Sequence, residues 1–236
     1  MTYALMRWIM RLLTRTYLIG LFRVTGAENV PRRGPLMICP NHSATLDPPM
    51  VPAFTPRGDT WNMAKSEYFT GFKAWIFRAY HSFPVVRHTA DRAALSRSFD
   101  LLKAGHALIV YPEGTRVESG VLAKPEAGAG FIAQKTGCPV VPVGLTGTRE
   151  CFPKGARWPR RTQVTITFGR PFIVAQKRPD GTRVKREQAA DAIMLAIAEL
   201  LPASQRGEYS DLPALRERLA GITQPLPVQS GLRQKT

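Results

Sequence analysis

Acidic residues are scarce in this chain. Seventeen Asp and Glu stand against 33 Lys and Arg in 236 residues, a formal charge of +16. A surplus of that size calls for an anionic partner: nucleic acid, an acidic membrane surface or a phosphorylated substrate. Cysteine is scarcer still. Cys39, Cys138 and Cys151 show no C-x-x-C spacing, which excludes a disulfide framework and a Cys-based zinc site and fits a reducing compartment. All three are expected to be small buried hydrophobes. No H-E-x-x-H or similar pattern joins the four histidines, so a zinc hydrolase is excluded and no metal is expected. Helix-turn-helix, RNA-binding and zinc-finger signatures are also missing, which turns the charge surplus away from nucleic acid.

A long uninterrupted apolar run is lacking too. Residues 3–22 are the most apolar segment, yet Arg7, Arg11 and Arg15 divide it every four residues. A spanning helix needs roughly 20 mostly apolar residues, and central arginines there are costly. The same charges and the missing small-residue cleavage site argue against a signal peptide. Positions four apart share a helix face. Residues 1–22 are therefore expected to form an amphipathic helix with a cationic stripe and a wide apolar remainder, lying in a membrane interface.

What is present is an ordinary globular composition, 44% hydrophobic and 21% charged, in an order that alternates apolar runs with helical periods. Residues 36–39, 61–64, 83–86, 107–111 and 140–144 read as strands, and 163–168 alternates as a half-exposed one. Residues 67–80, 91–103, 128–135 and 189–201 read as helices, with Gly105 and Gly137 as stops. This predicts an α/β domain over 23–220, a central, mostly buried mixed sheet flanked by helices. Residues 221–236 are polar with prolines and glycines and are expected to form an unstructured tail.

Three strand ends carry candidate chemistry. His42 follows the strand at 36–39, where α/β folds place ligands, and Asp47 stands five residues on, before Pro48 and Pro49. The residue before proline avoids helix, so Asp47 is expected at an N-cap with Pro48 opening the helix. The intervening turn can then bring carboxylate to imidazole, fixing its tautomer. Tyr111-Pro112-Glu113-Gly114-Thr115-Arg116 follows the strand at 107–111, and Arg87 follows that at 83–86. A base and two arginines at neighbouring strand ends would form an anion-binding pocket with a proton acceptor.

With these residues in order, the chain resembles the glycerolipid acyltransferases, specifically 1-acylglycerol-3-phosphate (lysophosphatidate) acyltransferases. Asn41-His42-Ser43-Ala44-Thr45-Leu46-Asp47 is similar to the N-H-x-x-x-x-D block, and Phe83-Pro84-Val85-Val86-Arg87 to the second block. Tyr111 to Arg116 matches F-P-E-G-T-R with Tyr for Phe, and Val140-Val141-Pro142-Val143 the fourth block. The departures are Val86 where an acid is common, Val117 where serine is common, and Glu126 where lysine is common.

The resemblance implies direct acyl transfer to the free hydroxyl of lysophosphatidate, giving phosphatidic acid, with acyl-CoA or acyl-carrier protein as co-substrate and no cofactor. His42 would be the general base and Asp47 its orienter. Arg87 and Arg116 would hold the acceptor phosphate in a pocket shaped by Glu113, Gly114 and Thr115, with Asn41 and Lys65 alongside. Imidazole, titrating near neutrality, suits proton removal from an alcohol that attacks an already reactive thioester. The basic clusters then find a use. Residues 1–40 hold six arginines against one glutamate, and residues 149–187 hold eleven Lys and Arg against three acids, a charge that would dock the protein peripherally on the cytoplasmic face of the cell membrane. Another lysolipid acceptor, such as lyso-ornithine lipid, and a non-catalytic lipid-binding protein on the same fold are the alternatives.

Overall fold

The computed structural model describes residues 2–86 and 91–226. Among these the strands are β1 (Phe22–Thr25), β2 (Leu36–Pro40), β3 (Thr60–Lys65), β4 (Ser82–Val85), β5 (Ala107–Ile109), β6 (Val140–Thr146), β7 (Val164–Phe168), β8 (Phe172–Val174) and β9 (Thr223–Pro225). The helices are α1 (Thr2–Tyr17), α2 (Asp47–Phe54), α3 (Gly71–Ala79), α4 (Arg92–Lys103), α5 (Ala127–Thr136), α6 (Thr148–Cys151), α7 (Arg186–Ala198) and α8 (Leu212–Arg218). One mixed sheet runs β1-β7-β6-β2-β5-β3-β4, with β8 on β6 and β9 on β8. β2, β3, β4, β5 and β6 are mutually parallel through their shared pairings, whereas β7 and β8 run antiparallel to β6.

Both faces of the sheet are covered, which is why its central strands read as continuous apolar runs rather than alternating ones. Met37, Cys39, Leu108 and Val140 point to a layer built on α4, α5, α7 and α8. Leu36, Ile38, Ile109, Val141 and Val143 point the other way, onto α2 and the end of α1. The three cysteines are buried and free, and burial pushes the Cys39 thiol well up. Parallel strands share one carboxyl edge, so the turns after β2, β3, β4, β5 and β6 gather on a single rim.

Several expectations change at the level of elements. Residues 67–80 are not one helix: a 3-10 turn at Ser66–Tyr68 precedes α3, which starts at Gly71. The apolar residues Phe72, Trp75 and Ile76 face outward, Phe72 being 75% exposed. From Gly221 onward the tail is not wholly unstructured, because Thr223–Pro225 pairs antiparallel with β8.

The packing of α1 decides which of its sides meets the protein. Two of its three arginines, Arg7 and Arg11, face the protein, and Arg15 is exposed. Arg7 is only 8% exposed and donates from Nε to the Pro52 carbonyl at 2.8 Å and from Nη2 to the Thr55 carbonyl at 2.6 Å, while Arg11 donates to the Ala53 carbonyl. These carbonyls belong to the last turn of α2 and its C-cap Thr55, where backbone acceptors lack helical partners and the helix dipole attracts cations. Tyr3 stacks on His81 with centroids 3.9 Å apart, and His81 on Trp61 at 4.7 Å. With the basic side used for packing, Leu5, Trp8, Ile9, Leu12 and Leu13 are left exposed, Trp8 by 58%.

Candidate active site

The site grows from the turn between β2 and α2. Asn41 ends the strand and clamps it to β6: its Oδ1 accepts from the Leu145 amide at 2.7 Å and its Nδ2 donates to the Leu145 carbonyl at 3.1 Å. The chain then reverses through residues 42–46 around the carboxylate of Asp47. One oxygen, Oδ2, accepts from the amides of Ser43 at 2.8 Å and Ala44 at 2.7 Å and lies 3.0 Å from His42 Nδ1. Asp47 is wholly buried and His42 nearly so. The two backbone donors fix the oxygen that faces the ring, so that it can hold a proton on Nδ1 and leave a lone pair on Nε2. Asp47 is the first helical residue and Leu46 its N-cap, one residue earlier than expected. The carboxylate serves the turn ahead of the helix rather than capping the helix itself.

The turn after β5 locks onto this one. Glu113, buried, accepts the His42 amide at 2.7 Å on Oε2 and the Ala123 amide at 3.2 Å on Oε1. The Val117 amide returns a bond to the His42 carbonyl at 2.8 Å, and Arg116 donates to the Thr45 hydroxyl. Burial pushes the Glu113 carboxyl up to about 7, against the downward pull of its two amide donors, and Asp47 adds to the rise. Gly114 has φ 68°, and a Cβ there would stand 2.6 Å from Cγ of Glu126, so the turn needs glycine on both counts. Tyr111 lays its ring 4.4 Å from the His42 ring with its hydroxyl buried beside Asp47, and neither that hydroxyl nor Asp47 Oδ1 has a partner among the described residues.

These contacts redistribute the expected roles. Asn41 and Glu113, expected at the substrate, spend their polar atoms on backbone and hold the His42 turn in place. Thr115 is exposed, and Arg116 is partly exposed, 3.8 Å from Glu118. Lys65 ends β3 on the same rim and pairs with Glu67 at 2.7 Å. Arg87 lies outside the described residues. No cluster of three or more His, Cys, Asp or Glu suited to a metal occurs among them, and none of their helices is long and apolar enough to cross a membrane. Ser43 and Thr148, whose hydroxyl oxygens stand 3.4 Å apart, join the β2 turn to α6. Sequence reasoning missed that link because the two residues are distant in the chain and unremarkable in type.

Comparison with known proteins returns the same region. A family model described as Acyltransferase matches residues 21–146. The chain is 31% identical over 138 residues to the chloroplastic 1-acyl-sn-glycerol-3-phosphate acyltransferase BAT2 of Brassica napus, covering 56% of this chain and 39% of the relative. It is 31% identical over 142 residues to the 1-acyl-sn-glycerol-3-phosphate acyltransferase of Bacillus subtilis, covering 58% and 69%. The chain thus spans about two fifths of the plant relative's length and about two thirds of the bacterial one's. The crystal structure of the 1-acyl-sn-glycerophosphate (LPA) acyltransferase PlsC from Thermotoga maritima superposes with a TM-score of 0.64 at 26% identity, over 83% of this chain and 79% of that one. The family match covers the β2 turn, the β5 turn and all of β6, the elements that assemble the His42 site, and the chain belongs to the acyltransferase family.

Proposed function

We propose that the protein transfers a fatty acyl group from acyl-CoA or acyl-carrier protein to the free hydroxyl of 1-acylglycerol-3-phosphate, giving phosphatidic acid in phospholipid synthesis. The observation that carries this reading is the 3.0 Å contact between His42 Nδ1 and the buried Asp47 carboxylate. With Nδ1 protonated, Nε2 takes the proton of the acceptor hydroxyl as its oxygen attacks the thioester carbonyl. The C–O bond forms, the C–S bond breaks, and the imidazolium returns its proton to the departing thiolate. No covalent enzyme intermediate is needed, since a thioester is already a good electrophile. Asp47 balances the charge that appears on the ring. Arg116, which reaches Thr45 of the β2 turn from the turn after β5, is the cation for the acceptor phosphate, and the family resemblance adds Arg87 as a second one.

Substrate and product are membrane lipids, and α1 suits them. We read its outward apolar side as a peripheral anchor on the cytoplasmic leaflet, immersed in the interface with no span. The test is acyl transfer from oleoyl-CoA and from an acyl-carrier protein to lysophosphatidate in vesicles, comparing wild type with His42→Ala. Loss of turnover by about 10²- to 10⁴-fold is the expected result. Equal turnover would remove His42 as the base. Transfer to another lysolipid but not to lysophosphatidate would replace the acceptor.

A further inference from the structure

The connection between α6 and β7 does not enter the chemistry above, yet it has an unusual composition. From Phe152 to Arg178 there is no acid, and Lys154, Arg157, Arg160 and Arg161 fall within eight residues of one another. Trp158 sits among them and is 75% exposed. A solvated loop has no use for an exposed indole, and four cations around it repel one another unless an anionic surface neutralises them. Arg157 and Arg160 have no side-chain partner among the described residues, in contrast to Lys154, which pairs with Glu118 at 2.7 Å.

The loop is fastened at two places that matter. Tyr17, the last residue of α1, donates from its hydroxyl to the Pro159 carbonyl at 2.5 Å, and Arg161 donates to the Ile19 carbonyl at 3.4 Å. The loop therefore abuts the end of the helix whose apolar side faces out. On its other flank, the Lys154–Glu118 pair ties it to the segment that follows Arg116, and α6 leads into it from Thr148, beside Ser43.

We propose that this loop is a second docking element, in which Trp158 enters the interface of an anionic leaflet and Arg157 and Arg160 bind its lipid phosphates. The proposal rests on the membrane reading of α1 and adds to it a preference for anionic lipid, located in named residues between α1 and the catalytic turns. An indole with its polar N–H belongs at the headgroup level, and arginines there bind phosphate bidentately. An acidic carrier protein is the other partner such a charge could attract. The exposed indole and the attachment to the apolar helix favour lipid.

The experiment measures partition of the full chain onto vesicles of phosphatidylcholine with and without phosphatidylglycerol, for wild type, R157A/R160A, R157K/R160K and W158A. Each basic residue at an anionic surface changes affinity about fivefold, so R157A/R160A should lose about thirtyfold on the anionic vesicles and little on the neutral ones. R157K/R160K should retain most of that affinity, and W158A should bind both vesicle types more weakly. All variants should turn over a water-soluble short-chain acceptor as wild type does, which also reports folding. Wild type failing to bind any vesicle would overturn the α1 reading together with this one. Wild type binding with R157A/R160A unchanged would overturn the loop alone. Intact vesicle binding with turnover lost only when acyl-carrier protein is the donor would assign the loop to that protein and overturn its assignment to lipid.

Discussion

A carboxylate buried between two backbone amides can be a prop as well as a reagent, and Glu113 is the prop of this site. Its side chain reaches the His42 amide from a turn 71 positions away in sequence, so its state of ionisation is coupled to the geometry of the base. Folding raises its carboxyl from 4.5 to about 7 because burial outweighs the two amide bonds. Between those values the folded chain holds a proton that the unfolded chain has released. This contribution to stability is full below the unfolded value and is lost as pH rises through the folded one, by on the order of 3 kcal/mol. Glu113→Gln keeps the shape and cannot titrate, so its stability relative to wild type should improve by about that amount between pH 5 and pH 8. Urea unfolding of both proteins at the two pH values reads the difference and cancels the other titrating groups. An unchanged difference would mean that Glu113 is ionised throughout. The motif around Glu113 is legible in the sequence, but the role of this residue is not, because a bond to a backbone amide leaves no trace in residue type. The bonds of Asn41, whose partners lie 104 positions away, are hidden for the same reason. The His42–Asp47 pair was readable because both members lie in one turn, with Pro48 marking where the helix begins.

Elements were legible where burial is two-sided and long. β2, β5 and β6 announce themselves as apolar runs, and α4 as an amphipathic period ending near Gly105. β1, β8 and β9 do not, because their burial is partial or absent and partners elsewhere in the chain rather than their own pattern define them. Helix packing shows the same limit in α5. Gly128 and Gly130 stand two residues apart and look alike in sequence. A Cβ at Gly128 meets nothing within 4 Å, whereas at Gly130 it would lie 2.2 Å from the Arg186 carbonyl oxygen and 2.6 Å from the Ala190 nitrogen of α7. The two helices approach backbone to backbone at Gly130. Gly128→Ala should stabilise the protein by up to about 1 kcal/mol through helix propensity. Gly130→Ala should destabilise it by about 1–3 kcal/mol as α5 is pushed off α7. Thermal unfolding of the pair checks the opposite signs, and two stabilising substitutions would mean that the helices are farther apart than described.

At the scale of the molecule, sequence patterning gave α1 two sides but not their direction. Either side of an amphipathic helix can be the packed one, and the deciding contacts are the carbonyls at the end of α2. That arrangement makes α2 a strut about 12 Å long, with Asp47, the proposed orienter of His42, at its first turn and the acceptors of Arg7 and Arg11 at its C-terminal end. The proposed anchor and the proposed chemistry then meet in one short helix, and two sets of substitutions separate them. Leu5→Ser, Trp8→Ser and Leu12→Ser together change only the exposed side of α1. They should leave stability within about 1 kcal/mol of wild type and turnover of a water-soluble acceptor intact, while abolishing transfer to lysophosphatidate in vesicles. Arg7→Met with Arg11→Met keeps the side-chain length but removes the bonds to α2. Each charge-assisted bond to a carbonyl contributes about 1.5–3 kcal/mol, so stability should fall by several kcal/mol. A shift of Asp47 by a fraction of an ångström should lower turnover by about tenfold even on the soluble acceptor. Assaying both variants against both acceptors, with urea unfolding alongside, gives four rates whose pattern is diagnostic. Full activity of the arginine variant on the soluble acceptor would mean that α1 holds the protein to its substrate without supporting the site.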